Sequence, residues 1–421
     1  MLLDFTVENY RSFYEKKSFT MQAQKLSEDA KGNVTNTMSY DILKTLAVYG
    51  ANSSGKSNLV KALQAMKLCV LTSVKLNPNE SLSYEPFLLL KGNAKPTKFE
   101  VSFLKEGYCY RYGFSYTRTT IIDEWLFRKT TQRSKEQVLF IRNSEGIAFD
   151  DKKFPEGIGL ESKVNNNRLF LSLCAQLGGE ISNNVISWFE SDFNVVSGLN
   201  NQEYRSFSKK LFHKKKEASK EAMSLFKKLQ LGFGDISTRE RVIEITDDMP
   251  QELKPLLNKS VSLKDIEIES VHNLYDKNGK SCGSVKFSFD EKESSGTGKL
   301  FDMSGPIFDT LENGLVLVID ELDAKMHPLI SQEIIRLFNS PEKNPKNAQL
   351  IFTTHDTHLL STKMLRRDQI WFTEKNNTEQ TDLYCLTDIV LPDGTKPRND
   401  ANYEKNYIAG RYGAIPYIIN D

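Results

Sequence analysis

No stretch of about 18 consecutive apolar residues occurs in the chain, so no membrane-spanning helix is expected. Cysteine is scarce: Cys69, Cys109, Cys174, Cys282 and Cys385 stand far apart, with no Cys-x-x-Cys pair and no histidine at ligand spacing. Neither a zinc site nor a disulfide framework follows, and a reducing compartment fits. An excess of one charge is missing too, because 56 Lys and Arg face 55 Asp and Glu. A net charge of +1 argues against a surface that grips nucleic acid everywhere by counterion release, and leaves room only for a local patch. The opening MLLDFTVENYRSF lacks the apolar run and cleavage site of a secretory leader, so the expected location is cytoplasmic. Internal repeats and low-complexity tracts are absent as well.

What remains is ordinary for a folded protein: 39% hydrophobic and 26% charged residues over 421, enough for two or three domain-sized units. Alternation at Leu3, Phe5 and Val7 leads to the run Leu46 to Tyr49, a predicted buried strand ending in a glycine loop. Leu59, Leu63, Met66, Leu68 and Val70 then fall roughly at helical spacing. Phe99 to Phe127 alternates around a Lys-Glu-Gly turn and predicts an antiparallel hairpin or meander. Asn201 to about Leu229 is lysine-rich and helix-forming, with Leu211, Phe212, Ala218, Ala222, Leu225 and Leu229 as its stripe. Leu315 to Ile319 and Leu350 to Phe352 read as buried parallel strands. The segments Phe99–Phe127 and Asn201 to about Ser288 are candidate partner surfaces, or plain packing.

Gly50-Ala51-Asn52-Ser53-Ser54-Gly55-Lys56-Ser57 fits G-x-x-x-x-G-K-[ST] between a predicted strand and a predicted helix, the context that spacing requires. Glycines let backbone N–H groups close around phosphates, Lys56 adds a point charge and the Ser57 hydroxyl reaches Mg²⁺. Gly50, Asn52, Ser53, Ser54, Gly55, Lys56, Ser57 and Asn58 are thus the expected nucleotide contacts, and nothing in these residues separates adenine from guanine as the base. Leu315 to Glu321 is an apolar strand ending in two carboxylates. Asp320 would hold the magnesium, and Glu321 would orient and deprotonate an attacking water. Without the phosphate loop, a solvated acidic turn would explain those carboxylates equally well. Glu293 to Lys299 (ESSGTGK) opens a helical segment and offers a second phosphate-binding device; a flexible loop would read the same way. His355, just past the strand Leu350–Phe352, is placed where it could reach a γ-phosphate.

The order GANSSGKS, ESSGTGKL, LVLVIDELDAKMHP and LIFTTHD resembles the ATP-binding-cassette ATPases of the SMC and RecF kind. ENYRSF, the DELDAKMHP variant and GRYGAIPYI look more narrowly like bacterial AAA-type ATPases of the AbiL and Rlo kind, tied to abortive infection and restriction loci. The chain is also similar to the ATPase half of overcoming-lysogenization-defect nucleases. Those carry a further nuclease domain after the switch histidine, whereas about 65 residues follow His355 here, too few for one.

The resemblance implies an α/β fold: an ABC-ATPase-type two-lobed head with a P-loop in a mixed sheet, a flanking antiparallel β-lobe and a helical insert. The expected divisions are 1–200 (first lobe), 201–290 (inserted arm) and 291–421 (second lobe). It further implies a homodimer or higher even oligomer closed through ATP, in which Lys56 and Ser57 of one copy face Ser295 and Gly296 of another. His355 takes the switch role, and Asp323 resembles the residue that crosses to the opposite site. Gln176 stands as a further magnesium ligand or as an ordinary core or surface glutamine. Arg11 stands as a nucleotide contact or a plain surface arginine. The implied function is an ATP-hydrolysing switch in anti-phage defence that controls a separate effector, a nuclease. The alternative is a DNA-binding maintenance ATPase gripping a backbone through Lys209, Lys210, Lys214, Lys215, Lys216 and Lys220, or a solvated helix face with no such role.

Overall fold

The computed structural model describes residues 1–28, 32–198, 202–242, 264–361 and 364–416. Asn201 and residues 243–263 of the insert read as a candidate partner surface or plain packing, and Tyr417 and Ile418 of the GRYGAIPYI segment, lie outside them. The chain divides into two compact units: Met1–Gly198 with Asn313–Asp323 and Ser331–Asp421, and Leu199–Glu312 with Ala324–Ile330. The divisions therefore differ from three consecutive segments. The ESSGTGK segment groups with the insert, while the first unit gathers strands from both ends of the chain. Among the described residues, no helix is long and apolar enough to cross a membrane.

In the first unit a six-stranded sheet runs in the order Phe193–Ser197, Val316–Asp320, Gln349–Thr353, Thr45–Tyr49, Ile370–Lys375, Thr381–Cys385. The first five strands pair in parallel and only the last is antiparallel to its neighbour. Uninterrupted apolar runs suit such strands, and every residue of Thr45–Tyr49 and Gln349–Thr353 is buried. Helix Lys56–Thr72 follows the loop and buries Leu59, Leu63, Met66 and Val70, three or four residues apart. Leu68, read as part of that stripe, is half exposed.

The unit also holds a seven-stranded antiparallel sheet, in the order Gly146–Phe149, Gln137–Asn143, Ile121–Lys129, Tyr108–Tyr116, Thr97–Lys105, Leu2–Glu8, Lys17–Thr20. It contains the meander expected over Phe99–Phe127. Glu106 and Gly107 both take positive φ (47° and 74°), which matches the twist of a two-residue hairpin. Aromatic contacts fill the core of this unit; the rings of Phe103 and Trp188 stack 4.1 Å apart.

The second unit contains helices Gln202–His213 and Glu217–Lys228, an antiparallel sheet of Asp235–Val242, Lys264–Tyr275 and Ser281–Ser288, and most of the helix Ser295–Asn313. Positive φ at Lys215 (50°) breaks the lysine-rich segment into its two helices. Phe212, Phe226, Phe233, Phe289 and Phe301 pack ring against ring in its core. Pro306 sits inside the helix Ser295–Asn313, where it lacks the N–H that would bond the Asp302 carbonyl. Ser208 fills that gap: its hydroxyl donates to the Asp302 carbonyl (2.6 Å) and accepts from the Gly305 N–H (3.1 Å).

Candidate functional site

The buried strand Thr45–Tyr49 ends at a loop whose backbone is left-handed at Ser53 (φ 64°) and Gly55 (φ 115°), and the helix begins at Lys56. At Gly55 packing demands glycine as much as φ does, because an added Cβ would overlap the Thr381 hydroxyl. Thr381 donates to the Ser54 carbonyl (2.9 Å) and lies 2.7 Å from the Ser12 hydroxyl, which accepts from Asn58 Nδ2 (2.8 Å). Thr373 and Ser54 share a hydroxyl–hydroxyl bond of 2.7 Å. The loop thus rests on hydroxyls supplied by the strands Ile370–Lys375 and Thr381–Cys385.

Lys56 is buried and turns back, donating from Nζ to the carbonyls of Gly50 (2.7 Å) and Ala51 (3.0 Å). Burial pushes its pKa down to about 8, against the opposing pull of Asp320, Glu321 and Asp323. Its charge is therefore held by neighbours rather than by water.

Strand Val316–Asp320 brings its terminal carboxylate beside strand Gln349–Thr353. The Thr353 hydroxyl donates to Asp320 Oδ1 (2.7 Å) and accepts from the Glu321 N–H (2.8 Å), while its carbonyl accepts from the Leu322 N–H (3.1 Å). Glu321 takes positive φ (58°), unusual for a residue with a side chain. From the other side, the Gly198 N–H donates to the Asp320 carbonyl (2.6 Å), and a Cβ on Gly198 would run into the backbone of Asp320 and Glu321. His355 is exposed, and its N–H approaches both Asp323 carboxylate oxygens (3.3 and 3.4 Å). Partial burial, and then the charge of Lys56, push the His355 pKa below its ordinary value, while Asp323, Glu321 and Asp320 oppose the shift. Neutral imidazole prevails at physiological pH.

A cavity of about 310 Å³ is lined by the consecutive residues Asn52 to Asn58 together with Glu321 and His355. Residues 46–361, well over half of the chain, match the family described as "AAA domain, putative AbiEii toxin, Type IV TA system". The chain belongs to this family. No curated protein matches it. Membership makes it a P-loop ATPase domain of AAA type, which implies ATP as the nucleotide.

Not every residue singled out from sequence comes to the cavity of this AAA-family protein. Arg11 pairs with Glu85 (2.5 Å) and does not line it. Gln176 ends helix Phe170–Gln176, exposed and outside the lining. Ser295 and Gly296 start the helix Ser295–Asn313 in the second unit. Ser294 caps that start, its hydroxyl accepting from the Thr297 N–H (3.1 Å) and its carbonyl from the Gly298 N–H (2.8 Å). Ser295 itself is exposed.

Among the described residues, no group of three or more His, Cys, Asp or Glu is placed to hold a metal. Magnesium at a phosphate loop needs fewer protein donors, since phosphate and water oxygens complete its shell. The oxygen donors of Ser57 and Asp320 suit it. Sequence reasoning missed Ser12, Gly198, Thr353, Thr373 and Thr381. For Thr353 a signal existed: it directly follows the run Leu350–Phe352, which reads as a buried parallel strand like the run that leads to Asp320. For Gly198, Thr373 and Thr381 there was none, because their partners are distant in the chain.

Proposed function

We propose that this protein hydrolyses ATP in the Asn52–Asn58, Glu321 and His355 cavity and works as the nucleotide-driven switch of a bacterial abortive-infection-type defence system. The observation that carries this reading is the convergence of the glycine loop Asn52–Asn58, the Glu321 side chain and His355 on one cavity. The toxin–antitoxin wording of the family supports the defence setting.

The loop N–H groups and Lys56 receive the phosphates, and Glu321 accepts a proton from the attacking water as its oxygen bonds to the γ-phosphorus. The bond from that phosphorus to the bridging oxygen breaks, and ADP leaves with the electron pair. Ser57 and Asp320 would hold Mg²⁺, which when bound would neutralise phosphate charge. His355, neutral at physiological pH, donates to a γ-phosphate oxygen. Ser295 and Gly296 of a second copy complete the site, with the helix N-terminus Ser295–Asn313 directed at the nucleotide. Asp323 takes part in the contact between copies. ATP closes the pair, hydrolysis reopens it, and a separate nuclease effector binds the two states unequally.

Solution mass of Glu321→Gln protein with and without Mg-ATP tests this. A rise with ATP that Ser295→Arg abolishes is expected; no change in a variant that binds ATP would sink the two-copy switch. Lys56→Ala, folded and expressed, should lose phage protection. A second reading, DNA-binding maintenance, rests on exposed Lys210, Lys214, Lys215 and Lys216. Lys209 and Lys220 contribute less to it, because Lys209 lies within 4.0 Å of Asp290 and Lys220 pairs with Glu217 at 2.7 Å. DNA affinity falling steeply with salt would favour that reading.

A further inference from the structure

The Thr353 side chain has no place in the phosphate chemistry described above, yet it is almost fully buried at the point where the two carboxylates of the site diverge. Its single hydroxyl joins Asp320 Oδ1 (2.7 Å) to the Glu321 N–H (2.8 Å). Its carbonyl holds the next residue, through the Leu322 N–H (3.1 Å). Three successive residues are therefore pinned by one threonine on the neighbouring strand.

The pinning bears on both chemical roles. A carboxylate rotates freely unless a donor holds one oxygen; with Oδ1 engaged by Thr353, Oδ2 of Asp320 keeps a defined direction. Glu321 occupies a left-handed backbone conformation (φ 58°) that a side-chain-bearing residue adopts only when its surroundings hold it there. That conformation sets where the Glu321 carboxylate leaves the main chain, and the cavity includes Glu321. We propose that Thr353 is a positioning residue that sets Asp320 and Glu321 relative to each other through one hydroxyl. The proposal rests on the ATPase reading of the cavity. Valine has the shape of threonine without the hydroxyl, so packing alone would be satisfied by it; the hydrogen bonds would not.

The test compares Thr353→Val and Thr353→Ser with the full-length protein. Two quantities are measured: ATP turnover, and the Mg²⁺ concentration giving half-maximal binding of ATP by calorimetry. Outer-shell partners of this kind are worth roughly 10- to 100-fold in metal affinity or activity. Thr353→Val should therefore raise the Mg²⁺ midpoint and lower kcat by at least about 10-fold, with a smaller change in KM. Thr353→Ser, which keeps the hydroxyl, should recover most of both. Thr353→Val matching the wild type in both quantities would overturn the proposal. Thr353→Ser as impaired as Thr353→Val, with both variants melting as the wild type does, would overturn it too, because packing would then be the cause. Should the wild type itself turn over no ATP, the hydrolase reading fails, while the shift of the Mg²⁺ midpoint still decides the role of Thr353.

Discussion

Lys56 directs its ammonium group at the carbonyl oxygen of Gly50, 2.7 Å away and six residues earlier in the chain. The loop that would receive phosphate thus solvates the lysine that would bind it. An incoming triphosphate competes for that charge with backbone oxygens rather than with bulk water.

The first prediction concerns protons. Burial holds the Lys56 pKa at about 8. Phosphate beside the ammonium favours the charged form, so bound ATP raises that pKa. The sign follows: below about pH 8 the lysine is already charged and binding takes up no proton at this site, whereas near pH 9 it does. ATP affinity accordingly declines as pH rises past the free-protein value. Calorimetry in two buffers with different ionisation heats reads the uptake. Identical heats at the higher pH would contradict it.

Gly198 supplies the second. Because its added methyl group would meet the carbonyls of Asp320 and Glu321, Gly198→Ala must displace the turn that carries both carboxylates. A displacement on the order of 1 Å can cost roughly 100-fold in rate. Steady-state turnover should fall by about that factor with ATP affinity little changed. Unaltered kcat in a folded Gly198→Ala protein would show that the turn tolerates the shift.

The third prediction tests the helix Ser295–Asn313. Ser208→Ala removes the donor that satisfies the Asp302 carbonyl and the acceptor for the Gly305 N–H. Loss of partners by buried backbone groups costs about 1–3 kcal/mol. Denaturant unfolding should show that loss, and it should shrink when Pro306→Ala restores the missing N–H. Strict additivity of the two substitutions would remove this account of Ser208.

The C-terminal segment gives the fourth. Tyr407 packs against Tyr49 (5.9 Å between ring centres) and Phe372 (5.5 Å), and its hydroxyl donates to the Ala414 carbonyl (3.0 Å). Tyr49 is the residue before the phosphate loop, so Tyr407→Ala should loosen the strand end that presents it. The expected cost is about 3–5 kcal/mol for Tyr407→Ala and about 1 kcal/mol for Tyr407→Phe. Equal melting curves for wild type and Tyr407→Ala would mean that the segment contributes nothing there.

Strands and loops with a strong local signature are legible in the sequence. The runs Leu46–Tyr49 and Leu350–Phe352 are apolar throughout because they lie in the interior of a parallel sheet, and the glycines at 50 and 55 stand where the backbone departs from ordinary conformations. The cavity brings Asn52–Asn58, Glu321 and His355 together from three places in the chain. Arg11 and Gln176 rested on resemblance alone. The partner of Arg11 is Glu85, and Gln176 is exposed where its helix ends. Neither environment carries a local sequence mark. Phe226, missed from the apolar stripe of the lysine-rich segment, lies four residues after Ala222 on the same helix face and is buried with it.

By itself the sequence determined the phosphate-loop pattern, the buried runs Leu46–Tyr49, Leu315–Ile319 and Leu350–Phe352, and the place of Asp320 and Glu321 at the end of one of them. These depend on spacing over a few residues, and local backbone sterics and side-chain periodicity act over that range. Only the tertiary structure decided that Thr353, Thr373 and Thr381 support those groups, that Gly198 must be glycine, and that Ser208 offsets Pro306. Each of these depends on two segments separated by tens or hundreds of residues approaching to within a hydrogen bond. That proximity arises when the sheet and helices pack, and a short window of sequence does not encode it.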